Sequence, residues 1–145
     1  TTLQTATKGE GIDVVLMGDA YSDRQIADGT YEADMEYIYN NIFTEEPYKS
    51  FEDYFNVHYV NVVSATEGYE YGNTALDTFF GDGTYVGGSD NACFEYALNA
   101  ISENDMDEAL IIVAMNSDNY AGTCYRYYPK TIDNYGKGVL LSYFS

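Results

Sequence analysis

Tryptophan is absent from this sequence, histidine occurs once, and proline and cysteine occur twice each. Each shortage removes a class of explanation. The single histidine, His58, cannot supply a His-Glu-x-x-His helix. Cys93 and Cys124 lie too far apart for a CxxC pair, so no four-ligand zinc site arises from them and His58 without carboxylates. The two cysteines read either as one disulfide, in an oxidising compartment, or as two half-buried thiols. Basic residues are scarce as well: 6 Lys and Arg stand against 24 Asp and Glu, a formal net charge of -18. That charge repels phosphate backbones and anionic membranes, which excludes nucleic acid as a partner. No apolar run reaches the roughly 18 residues of a bilayer helix, so no membrane span is expected. G-x-S-x-G, G-x-G-x-x-G after a strand and the Walker loop are all missing.

The 145 residues suffice for one domain with a real core. Tyrosine is abundant, at 17 residues. A Tyr-rich, Lys-poor, acidic chain points to a secreted, periplasmic or cell-surface location. The start, TTLQTATKGEG, has no basic-then-apolar leader and reads as either a cut or a mature boundary, compatible with a leader removed before it.

Residues 12–17 read as a strand buried on both faces, with Ile12 followed after Asp13 by the unbroken apolar run Val14 to Met17. Ser22 and Gln25 fit a capping box for the segment that follows, and Gly29 splits it from a main helix over 30–43. Tyr31, Met35, Ile38, Tyr39 and Ile42 recur there at helical spacing, and Pro47 ends it. Residues 50–55 read as a turn or short helix. Residues 56–65 alternate as a second strand, with Val57 and Tyr59 on one side and His58, Val60 and Val62 on the other. Residues 66–90 are a long loop in which Leu76, Phe79, Phe80 and Val86 ask for burial. A helix over 91–105, capped by Asn91 or Asp90, carries the stripe Phe94, Ala97, Leu98, Ile101. A buried strand over 108–117, an edge strand over 122–132 containing Pro129, and a last strand over 138–144 complete the chain. The order implies an α/β (α+β) domain: a mixed sheet with flanking helices.

Candidate site residues cluster where the two buried strands end. Asp19 reads as a site carboxylate at the carboxyl end of a central strand, or as a turn residue that accepts backbone N–H groups. If the two strands are parallel neighbours, Asn116, Ser117 and Asp118 share its edge. His58 reads as a packing residue more readily than as a base or ligand. Asp82 and Asp90 sit among glycines without EF-hand spacing, so calcium there is a lesser alternative.

In order along the chain stand GIDVVLMGDAYS, IFTEEPYKSFEDYFNVHYVNVVSATEG and ALIIVAMNSDNYAGTC. Together they resemble the front half of the IgA-peptidase family of zinc metallopeptidases, over roughly residues 10–144. The family's Gly-Asp-Gly-Tyr, Glu-Pro, Asn-Val strand, Ser-Ala-x-x-x-Gly turn and Asn-Ser/Asp-x-x-Tyr-Gly-Gly patterns correspond here to Gly18 to Tyr21, Glu46-Pro47, Phe51 to Val57, Ser64 to Gly68 and Asn116 to Gly122. Ala20 and Ala121 replace glycines of that pattern.

The resemblance implies a partial zincin-like domain. In the family a His-Glu-x-x-His helix follows the strand that here reads GVLLSYFS, and residues 1–145 stop before it. No zinc ligand or catalytic residue is therefore carried over. Zinc is expected only in a longer parent protein, and the chain alone is expected to be inactive. Asp19 is expected to hold the strand-to-helix turn. The expected partners are the remainder of the peptidase domain and, in the parent, a peptide or protein substrate. A second copy of the chain is a further expectation, over a sheet face formed from Leu16, Val113, Val139 and Leu141. Two other readings compete. One is a self-standing extracellular module that binds protein or glycan through Tyr69, Tyr71 and Tyr85. The other is a small cation-binding domain.

Overall fold

The computed structural model describes residues 1–44, 46–70, 72–81, 86–106, 108–117, 122–126 and 138–143, with the backbone alone for 86, 90, 122–126 and 138–143. Among these residues one mixed sheet holds six strands: β1 (Thr2–Gln4), β2 (Ile12–Asp19), β3 (Phe55–Tyr59), β6 (Leu110–Met115), β7 (Gly122–Arg126) and β8 (Gly138–Tyr143). Their order is β1-β3-β2-β6-β8-β7. The inner four run parallel, and β1 and β7 close the two edges antiparallel. A short hairpin, β4 (Phe79–Phe80) with β5 (Val86–Gly87), lies within the long loop.

The apolar run of β2 is explained by its two neighbours and two covered faces. Val14 and Leu16 point to a layer built by α2 (Thr30–Ile42), with Tyr31, Met35 and Ile38, and by Tyr21. Val15 and Met17 point the other way, to α3 (Asp90–Ala97), with Phe94 and Ala97, and to Leu76 and Met106. Strand β6 alternates in step: Ile112 and Ala114 join the first layer, Ile111, Val113 and Met115 the second. Side chains that alternate across a strand must all be apolar when both faces are covered.

Several local expectations need correction. Helix α2 ends at Ile42, well before Pro47. The second strand stops at Tyr59, and the Val60 N–H makes the last bond of the β2–β3 ladder, to the Leu16 carbonyl at 3.0 Å. Helix α3 ends at Ala97, and Glu103–Asp105 is a separate 3₁₀ turn. Its cap is Ser89, whose hydroxyl accepts the Ala92 N–H, and not Asn91 or Asp90. Phe79 is largely exposed. Leu16 and Val113 are fully buried under the two layers and offer no face to a second copy. The side chains of Val139 and Leu141 are outside the described set, as is the residue range around Pro129. Strand β8 lies inside the sheet, with β7 outside it.

The helix-start expectation holds. Ser22 caps α1 (Asp23–Ala27) in a full capping box with Gln25, and Gly29 separates α1 from α2. Among the described residues no helix is long and apolar enough to cross a membrane.

Candidate functional site

Strands β2 and β6 are parallel neighbours in a register that sets Asp19 opposite Met115. Asp19, Asn116 and Ser117 therefore meet at one edge of the sheet, while Asp118 lies outside the described residues. The Asn116 N–H donates to the Asp19 carbonyl at 3.1 Å. Its side-chain amide donates to the Ala20 carbonyl at 2.9 Å and to Gln25 Oε1 at 3.1 Å. That same Oε1 accepts the Ser22 N–H at 3.3 Å as part of the capping box. One asparagine thus ties the end of β6 to the start of α1. Ser117 contributes its N–H to Met115.

Asp19 is fully buried, and among the described residues it forms no ion pair. Its Oδ1 accepts from the Ser64 hydroxyl at 3.1 Å and the Leu76 N–H at 3.0 Å. Its Oδ2 accepts the Thr78 N–H at 3.1 Å and the Thr78 hydroxyl. Four donors on two oxygens are what a buried carboxylate requires in place of water. The donors come from the segment that crosses between β3 and the hairpin, so Asp19 holds that segment down. Because the Thr78 hydroxyl proton goes to Asp19, the bond between Tyr69 and Thr78 at 2.7 Å takes its proton from the Tyr69 phenol. Burial pushes the Tyr69 phenol up from its ordinary value, and the nearby Asp19 carboxylate pushes it further the same way.

Ser64 serves several roles at once. Its hydroxyl donates to Asp19 and accepts the N–H of Ala20 at 3.1 Å and of Ala75 at 3.0 Å. Ala20 itself has φ of +67°, in the left-handed region. A residue bearing a Cβ is disfavoured there by about 1 kcal/mol, and glycine is not. The glycine of the family pattern at this place thus has a backbone explanation, and Ala20 tolerates the conformation because both of its backbone polar groups are held. Gly18 is needed for a different reason. A Cβ there would come within 2.7 Å of the Tyr21 ring and 2.9 Å of the Tyr31 ring.

An exposed rim surrounds this buried knot. Glu67 receives a two-point contact from Arg24, Nε at 2.7 Å and Nη2 at 2.8 Å, and the Ser22 hydroxyl at 2.7 Å. The Arg24 hydrogen bonds hold the Glu67 carboxyl below its usual range, with Ser22 adding to the effect.

His58 is elsewhere. It pairs with Val15 in the β2–β3 ladder, four residues from Asp19 along β2, or about 13 Å at strand rise. Both of its ring nitrogens are engaged, Nε2 with Asp13 at 3.3 Å and Nδ1 with Thr2 at 3.1 Å. The residues do not fit zinc: no three Asp, Glu, His or Cys side chains gather as a metal-binding group among the described residues. Nor does any buried side-chain nitrogen or oxygen among them stand without a partner, awaiting one. Cys93 is buried beside α3's core contacts, while the side chain of Cys124 is outside the described set, and with it their pairing. Of the tyrosines considered for an open binding loop, Tyr69 turns inward and packs edge-on against Phe80 at 5.2 Å. Tyr71, Tyr85 and Asp82 lie outside the described residues, as does the Asp90 side chain.

Sequence reasoning missed Ser64 and Thr78. Ser64 carries one signal, as the first residue of the Ser-Ala-x-x-x-Gly pattern, whereas Thr78 is one of several hydroxyl residues inside the long loop and carries none of its own.

A parallel-centred sheet between two helical layers, with a crossover segment tied to the carboxyl end of its middle strand, defines the class of this domain. The chain belongs to the family described as IgA Peptidase M64, which matches residues 1–139. It is a peptidase-related domain on that ground. No curated protein sequence matches it.

Proposed function

We propose that residues 1–145 are the amino-terminal, non-zinc-binding part of a zincin-like metallopeptidase domain from a secreted or surface protein, inactive in peptide cleavage by itself. The observation that carries this reading is the shared sheet edge. Tyr143 at the end of β8 pairs with Met115, and Met115 with Asp19, so three parallel strands deliver their ends side by side. Open α/β sheets gather ligands at that edge. Here the Asp19 knot shapes the edge and fills it with satisfied hydrogen bonds, leaving the reacting groups to come from outside these residues. In this reading a following helix with His-Glu-x-x-His supplies the metal ligands and the base.

Two preparations test the proposal: the 145-residue chain, and a parent chain extended through the next His-Glu-x-x-His segment. The expected result is chelator-sensitive cleavage of a denatured protein substrate, with one zinc per chain, in the extended form only. Cleavage and stoichiometric zinc in the 145-residue chain, both lost in His58→Ala, would overturn it.

A further inference from the structure

The amino-terminal end of β2 carries a different feature. Ile12, Pro47, Tyr48, Phe51, Tyr54 and Phe55 line an open groove of about 520 Å³. Ile12, Tyr48, Phe51 and Tyr54 are each between 39% and 53% exposed, on a chain whose other apolar residues mostly turn inward. Lone exposed apolar residues are ordinary, but four contiguous ones mark a contact surface. The rings stand at angles to each other: Tyr48 to Phe55 at 6.2 Å and 55°, Phe51 to Tyr54 at 6.0 Å and 56°. Tilted rings leave slots between them instead of a flat plate.

We propose that this groove binds an extended, basic segment of another polypeptide, with proline or aliphatic side chains between the rings and arginine or lysine at the rim. Charge selects the occupant. The segments that build the groove carry Glu10, Glu46, Glu52 and Asp53 against Lys8 and Lys49, within a chain of net charge -18. Lys8 and Asp53 pair with each other at 3.7 Å, which leaves Glu10, Glu46 and Glu52 against Lys49. A second copy of so acidic a chain is repelled, and so is an anionic membrane. A basic segment is attracted over a distance, and its cations also find the ring faces. Chemistry selects an extended chain over a small ligand. Small-molecule pockets place several polar groups to orient their ligand, and here the walls are almost wholly apolar. Aromatic walls with acidic flanks suit polyproline-type segments, which lose little entropy on docking. This surface lies at the other end of β2 from Asp19 and does not rest on the peptidase reading.

The test is fluorescence anisotropy of the 145-residue chain with a labelled peptide of Arg-Pro-Leu repeats and with its Glu-Pro-Leu counterpart. The basic peptide is expected to bind and to weaken with added salt. Phe51→Ala and Tyr48→Ala are expected to weaken it about tenfold or more. Glu52→Lys is expected to weaken it several-fold, and Val63→Ala, on another exposed site, to leave it unchanged. Thermal midpoints of the variants verify that the exposed substitutions leave the fold intact. Four outcomes would overturn the proposal: no binding of the basic peptide up to about 1 mM, equal binding of the acidic peptide, binding indifferent to Phe51→Ala, or a concentration-dependent dimer or neutral-vesicle association that Phe51→Ala abolishes.

Discussion

The Asp19 carboxylate accepts the backbone N–H of Leu76, 57 residues further along the chain, at 3.0 Å. The same carboxylate holds Thr78 and Ser64, so one side chain closes the crossover loop onto the sheet. Asp19→Asn keeps the volume and changes the hydrogen-bond pattern. Its Oδ1 still serves Ser64 and Leu76, but an amide NH₂ then faces the Thr78 N–H. A buried donor left facing a donor costs about 2 kcal/mol. Urea unfolding should show a loss of that order. Proteolysis under native conditions should cut first within residues 64–78. An unchanged urea midpoint would mean that the loop is held by its apolar contacts instead.

Tyr31 carries a second buried tie. Its hydroxyl accepts the Gly18 N–H at 2.8 Å and donates to the Val60 carbonyl at 2.5 Å. Tyr31→Phe removes both and leaves the two backbone groups without this partner. The expected loss is about 1–3 kcal/mol by urea unfolding, with secondary structure by circular dichroism unchanged. A loss below half of that would assign Tyr31 to packing alone.

Gly18→Ala tests close packing in place of polar satisfaction. The added methyl meets two large rings, Tyr21 and Tyr31, each itself hydrogen-bonded and unable to swing away freely. Overpacking of this kind costs about 2 kcal/mol. Differential scanning calorimetry should report a clearly lower midpoint for Gly18→Ala, and a smaller drop for an alanine at exposed Gly72, where nothing lies within 4 Å and only the backbone cost of φ +69°, about 1 kcal/mol, applies.

The buried phenols set a limit on the alkaline side. Burial raises Tyr21, with the Asp34 hydrogen bond adding to it, and burial raises Tyr31 and Tyr69 as well, all from an ordinary value of 10.0. A raised value in the folded state means that folding favours the neutral phenol. This contribution is complete below pH 10.0. Above it the unfolded chain ionises first, and stability falls as pH climbs towards the folded values. Tyrosinate absorbance should therefore rise in two stages: exposed phenols first, then the buried ones together with loss of ellipticity. A single smooth titration with the fold intact would contradict this.

Much of the architecture was legible before folding. The apolar run of β2 announced a strand covered on both faces, because a covered strand has no position where a polar side chain can point. Ser22 and Gln25 announced a helix start, because a capping box is a contact between residues three apart. The ordered motifs that carry the family resemblance could be read directly, and so could the acidic balance and the want of histidine. Each of these depends on residues close in sequence or on composition.

The rest needed the register of the sheet. Nothing near Asp19 indicates that its partners are Ser64, Leu76 and Thr78, since these arrive only when β2 and β3 pair in parallel and the crossover returns past the strand end. The choice of Ser89 over Asn91 as the α3 cap followed from where the hairpin sets the chain, with the Ser89 N–H donating to the Leu76 carbonyl. The exposure of Tyr48, Phe51 and Tyr54 was also decided there: their turn falls at the end of the strands, beyond the reach of α2's cover, so residues with core-like side chains remain in water. Local pattern encodes which groups must be satisfied. Only the tertiary fold decides by whom, because the partners are brought together by a register that no short stretch of chain contains.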